Sequence, residues 1–152
     1  MTRAERMAPV QQVLEQGERT QARALADGQR RLAEAETKLN ELRTYHGEYQ
    51  LAFRQRAEGG TSITRLRDFQ AFLARLEQAL AQQEKSVALA REQVANLRRS
   101  WQGAARQVKA VENVTDRWRS AEARAGERRE QEETDERAQR AALRAAGSTE
   151  AQ

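Results

Sequence analysis

The residues whose types could do chemistry are few. They are the acidic pairs Glu132-Glu133 and Asp135-Glu136, the single imidazole His46, the tandem Gly59-Gly60, and the basic pairs Arg30-Arg31, Arg98-Arg99 and Arg128-Arg129. Adjacent carboxylates can share a proton or hold a hard cation, but only where a cleft perturbs their titration. These stand in a run of alternating charges, which predicts a solvated helix face. His46 has no second imidazole and the chain has no cysteine, which removes a His-based triad, a His or thiolate metal site, and a disulfide framework. Gly59-Gly60 is followed by Thr61 and Ser62 rather than Lys-Ser/Thr and is not preceded by a strand pattern, so it is no phosphate loop. The basic pairs are interspersed with acids and lack aromatic stacking platforms, so they read as solvated faces rather than a nucleic-acid surface. We expect no catalytic residue, no metal, no cofactor, no small-molecule substrate and no nucleic-acid partner.

The elements that hold these residues follow from composition. The 152 residues are 33% charged, 38% hydrophobic and 5% aromatic, with a mean hydropathy of -0.97. A compact globule of this length would use about 45–50% apolar residues counted with glycine. Pro9 is the only proline, and of eight glycines only Gly59 and Gly60 are adjacent. The rest is dominated by Ala, Leu, Glu, Gln and Arg, the strong helix formers. Twenty-seven basic against 23 acidic residues give +4 and a pI near 10.1, with signs alternating along the chain. No apolar run approaches the roughly 20 residues that span a bilayer, and the first ten residues lack a signal-peptide core. A soluble, cytoplasmic protein is expected.

The predicted fold is all-α: two long helices in an antiparallel coiled-coil hairpin, the second longer and overhanging. Helix 1 is expected from about 9 to 57, with Pro9 in its first turn where no N–H donor is needed, or with a frayed extension back to Thr2. A loop over 58–62 follows, in which the glycines allow a positive φ and Thr61 or Ser62 caps the next helix. Helix 2 is expected from about 62 to 146, and a flexible tail over 147–152, the whole forming one coiled-coil domain. At 1.5 Å per residue the helices would run roughly 75 and 125 Å. In helix 2 the a positions read Leu66, Leu73, Leu80, Val87, Val94, Trp101, Val108, Thr115, and the d positions Phe69, Leu76, Gln83, Ala90, Leu97, Ala104, Val111, Trp118. Helix 1 gives Leu25, Leu32, Leu39, His46, Phe53 with Gly28, Ala35, Leu42, Tyr49. Upstream, Val10, Val13, Leu14 and Gly17 suggest a stutter.

A short connection makes the helices antiparallel neighbours. Facing numbers should then sum to about 122, placing Phe53 by Phe69, Gly28 by Val94 and Leu25 by Leu97, with Trp101 near Gly17 and Gln21. Helix 2 would outlast helix 1 by roughly 25–35 residues, leaving about Trp118 to Arg144 without an intramolecular partner. That segment carries Glu133–Arg137 and Glu136–Arg140 at i,i+4, each worth a few tenths of a kcal/mol. Apolar residues also exceed what a two-stranded seam uses. Phe72, Leu76, Ala79 and Gln83 form a stripe on one flank of helix 2, and Lys38, Leu42, Tyr45 and Tyr49 an equivalent one on helix 1. An exposed aromatic stripe is a partner surface; the structural alternative is that Phe72 and Tyr45 fold over the seam and widen a thin core.

Four segments carry a resemblance to a known family. Leu42-Arg-Thr-Tyr45-His-Gly-Glu48-Tyr49 resembles the L-x-x-Y-x-x-E-Y segment of the FliJ family of flagellar type III export components. Phe69-Gln-Ala-Phe72-Leu73-Ala-Arg-Leu76-Glu77-Gln-Ala79-Leu80-Ala-Gln82 is similar to that family's F/Y-x-x-F-I/L-x-x-L-E-x-A-I segment. Ser100-Trp101 matches its S-W motif, and Asp135-Glu136-Arg-Ala138-Gln139-Arg140 its D-E-x-A-Q-R terminus. The resemblance implies a stalk-like coiled coil that couples an export ATPase to substrate export. It implies three partners: the hexameric ATPase FliI, the cytoplasmic domain of the membrane export gate FlhA, and export chaperones. By position it implies gate binding through Phe72, Leu76, Ala79 and Gln83, and an exposed partner face of Lys38, Leu42, Tyr45 and Tyr49. The ATPase-ring end would include Trp118, Asp135, Glu136, Gln139 and Arg140. A free monomer, peripheral to the inner face of the cell membrane, is expected. The other readings of the residues are a stalk protein of an injection-type secretion system, a generic self-associating coiled coil, and a basic nucleic-acid binder with salt-sensitive retention.

Overall fold

In a computed structural model that describes residues 1–150, the chain forms two α-helices, α1 (Arg3–Gly59, 57 residues) and α2 (Ile63–Glu150, 88 residues). No strand occurs among the described residues. The helices pack against each other as an antiparallel coiled-coil hairpin, as the heptads predict. Their ends differ from the expected bounds for identifiable reasons. Thr2 and Glu5 form a reciprocal capping box: the Glu5 N–H donates to Thr2 Oγ1 at 3.2 Å, and the Thr2 N–H to Glu5 Oε2 at 2.9 Å. This starts α1 at Arg3, so Pro9 lies inside the helix rather than in its first turn. An internal proline removes a hydrogen bond and crowds the preceding turn, a cost of about 3 kcal/mol. Burial of Ala4, and Arg3 held 5.8 Å from the Trp118 ring, help hold the helix through it.

The reversal is built as its residues dictate. Gly60 sits at φ 81°, the left-handed conformation that terminates helices and that side chains with a Cβ resist. Ser62, not Thr61, caps α2: its Oγ accepts the Arg65 N–H at 3.3 Å and its carbonyl the Leu66 N–H at 3.2 Å. At the other end α2 does not stop near residue 146. Gly147 and Ser148 are helical, and the Ser148 and Thr149 hydroxyls donate to the Ala145 carbonyl at 3.1 and 2.8 Å. The expected tail is thus helical as far as Glu150, and its last two residues lie outside the described ones.

Packing divides the chain into two compact units: Gly17–Ala104, and Met1–Gln16 with α2 from Ala105 onward. In the first, Leu39, Leu76, Val87 and Val94 are buried in the seam, and Gly28 is buried between the helices. A Cβ on Gly28 would lie 3.7 Å from Val94 Cγ2 and 2.6 Å from Leu97 Cδ1, so the absent side chain sets how closely the helices approach. The Phe53 and Phe69 rings are 6.3 Å apart, the pairing expected from the register. Two polar contacts tie the layers. Gln83 Nε2 donates to the Ala35 carbonyl at 3.0 Å, and Trp101 Nε1 to Glu18 Oε1 at 2.7 Å. Polar groups at seam positions fix register at some cost in stability. Outside the seam, Arg91–Glu36 at 3.3 Å and Arg43–Glu84 at 3.6 Å cross between helices, but both pairs are exposed and contribute little.

In the second unit the stutter is replaced by an unbroken heptad count. Ala4, Met7, Gln11 and Leu14 turn inward, whereas Val10 and Val13 are exposed. A Cβ on Gly17, which belongs to the first unit, would meet nothing within 4 Å. The aliphatic residues had suggested a phase shift because the true seam positions here are partly polar. Thr115 is 1% exposed and its hydroxyl has no hydrogen-bond partner. Because α1 begins early, Trp118 is covered by Arg3, and Glu122, Ala125 and Gly126 are partly covered. The uncovered part of α2 therefore starts at Glu127 rather than near Trp118, and every residue from 127 to 150 is exposed.

Candidate interaction surfaces

Two surfaces answer to the residues singled out by sequence. The first lies near the reversal, where α1 supplies Leu42, Tyr45, Tyr49, Phe53 and Arg56 and α2 supplies Phe69, Phe72 and Leu76 at helical spacing. The rings form one continuous cluster. Tyr49 lies 4.6 Å from Phe72 and 5.9 Å from Phe69; Tyr45 lies 4.8 Å from Tyr49 and, edge-on, 6.2 Å from Phe72. The Arg56 guanidinium stands 5.1 Å over the Phe69 ring. Tilted and edge-on rings at these separations are favourable packings, each worth about 0.5–1.5 kcal/mol beyond area burial.

Exposure grades across the cluster. Tyr45 is 42% exposed, Phe72 and Tyr49 are half-buried, and Leu76 is 8% exposed. Leu76 is thus part of the buried seam rather than of the exposed surface. Ala79 and Gln83 are half-buried, the latter committed to the Ala35 carbonyl; Lys38 is exposed and Leu42 half-buried. The solvent-facing part of the cluster is accordingly Tyr45 with the exposed portions of Tyr49 and Phe72. A long 3.4 Å contact between the two tyrosine hydroxyls raises the Tyr45 phenol above its ordinary range, helped by desolvation and by the charges of Tyr49 and Glu48. His46, in a seam position, directs Nε2 to Glu77 Oε1 at 3.4 Å across the helices, an edge contact rather than a catalytic arrangement.

The second surface is the end of α2. Asp135, Glu136, Gln139 and Arg140 lie on the fully exposed segment, whereas Trp118 is half-buried beside Arg3. Of the two i,i+4 pairs expected there, Glu136–Arg140 forms at 3.8 Å and Glu133–Arg137 does not, among the described residues. No group of His, Asp or Glu able to hold a metal ion occurs among the described residues, and no described helix is long and apolar enough to cross a membrane. Sequence reasoning missed three contacts: the Thr2–Glu5 cap, Glu18 with Trp101, and Gln83 with the Ala35 carbonyl. The first was legible as Thr-x-x-Glu; the others needed the register.

The chain is a two-helix coiled-coil hairpin with an aromatic cluster near its reversal and a fully exposed helical segment at the end of α2. The model of the flagellar FliJ protein family matches residues 3–147, and the chain belongs to that family. It is 30% identical over 123 residues to the flagellar FliJ protein of Salmonella typhi, covering 81% of this chain and 84% of that one. No solved structure matches it. As a member of this family the chain is a component of flagellar protein export.

Proposed function

We propose that this chain is the stalk-like adaptor of a flagellar export apparatus. In this reading the bare end of α2 enters the ring of the hexameric export ATPase. The aromatic surface around Tyr45, Tyr49 and Phe72 meets the cytoplasmic domain of the membrane export gate, and export chaperones bind in turn. The chain then works at the inner face of the cell membrane through these partners. The single observation that carries the reading is the ring cluster: Tyr45 and Phe72, both outside the a/d seam where a solvated coiled coil would place polar residues, join the seam residue Tyr49 in one aromatic surface built from two helices. The naked segment 127–150 supports the second half, since a helix with no seam partner in its own chain is available to another.

The test is a binding measurement with the purified gate domain and the ATPase. Tyr45→Ala with Phe72→Ala should weaken gate binding at least about tenfold, the loss of a modest hot spot, while far-UV circular dichroism stays near wild type. Truncation after Gly126 should abolish stimulation of the ATPase and spare gate binding. Unchanged affinity for the gate in the double variant, with the fold retained, would defeat the assignment of that surface.

A further inference from the structure

We propose that the first sixteen residues are a releasable strap, which lifts off α2 while the hairpin of residues 17–104 stays closed. Three features inside this one unit weaken the same stretch of seam. Pro9 interrupts the hydrogen-bond ladder in the middle of the strap. Gln11 occupies an inward position where the rest of the helix pairing favours apolar residues. Thr115, on the α2 surface that the strap covers, is buried with its hydroxyl unsatisfied, a group that gains a water partner when the strap leaves.

The strap's tip is built differently from its middle. The Thr2–Glu5 capping box supplies local hydrogen bonds that do not depend on α2. What the tip loses on release is the burial of Ala4 and the stacking of Arg3 on Trp118. Opening then uncovers Val108, Val111, Thr115 and Trp118, which stand at heptad spacing along one face of α2. Residues 1–16 pack with α2 from Ala105 onward in one compact unit, and residues 17–104 form the other. This inference does not depend on the identity of the partners proposed above.

Residue-resolved amide hydrogen exchange on the full chain tests it. Local opening predicts protection in residues 6–16 at least about tenfold below that of residues 25–39, because sub-global openings exchange independently of the core. Pro9→Ala should raise protection in residues 6–16 by about a hundredfold, the conversion of the proline cost into an equilibrium ratio, and leave residues 25–39 unchanged. Thr115→Val, which keeps the side-chain shape and removes the orphan hydroxyl, should act in the same direction and on the same residues. Uniform protection along α1 in the wild-type chain would overturn the proposal. So would variants that raise protection equally in both segments, since the strap would then open only with the whole molecule.

Discussion

Alanine at Gly28 and alanine at Gly47 are the same chemical change in the same helix, and the structure gives them different outcomes. In a helix interior, Gly→Ala is worth about 0.5–1 kcal/mol of stability through backbone entropy and propensity. At Gly47 a new methyl meets nothing within 4 Å, so the gain is realised in full. At Gly28 the methyl would stand 2.6 Å from Leu97 Cδ1, well inside contact distance, with Val94 Cγ2 at 3.7 Å behind it. Overpacking of this kind costs about 1–3 kcal/mol. The obstructing atom is the end of a side chain rather than backbone, which places the cost at the lower part of that range. Gly28→Ala should therefore be about 1–2 kcal/mol less stable than Gly47→Ala, a difference that urea unfolding followed by circular dichroism resolves through the midpoints at a common slope. Equal stabilisation by both would mean open space at residue 28, and the layer joining Gly28 to Val94 and Leu97 would be wrong.

Other perturbations probe the remaining joints. Glu18→Ala leaves the Trp101 indole N–H without its acceptor and should cost about 1 kcal/mol, reduced because the site is only part-buried; Glu18→Gln keeps an acceptor and should cost less, read by urea midpoint. Gly60→Ala places a Cβ at φ 81° and should destabilise by about 1–2 kcal/mol, with Gly60→Asn milder because Asn tolerates that region. Indifference to both Gly60 substitutions would show that the reversal is made elsewhere.

The hairpin was legible because three independent signals agree: apolar residues every seventh position in α2, helix-forming composition throughout, and one pair of adjacent glycines. The pairing of Phe53 with Phe69 and Gly28 with Val94 followed from counting alone. What escaped was governed by tertiary contact. The early helix start depends on a cap whose worth, set against Pro9, is decided by Ala4 and Trp118 across the seam. The seam between Ala4 and Gln21 was obscured because the inward residues include Gln11 and Glu18, while Val10 and Val13, the most apolar residues nearby, face solvent. At the aromatic surface the sequence offered the residue types but not their depth. Period distinguishes a flank from a face, and only packing shows that Leu76 is buried while Tyr45 stays exposed.

Spin labels on a cysteine-free chain give the most direct test of the antiparallel hairpin on which the whole account stands. Cysteines placed at Glu36 and Arg91, whose side chains meet across the helices at 3.3 Å, should show strong dipolar broadening once labelled. That broadening should persist when the labelled chain is diluted with a large excess of unlabelled chain, because both positions belong to one molecule. Broadening that is absent, or that disappears on dilution, would mean the helices do not pair within one chain in this register.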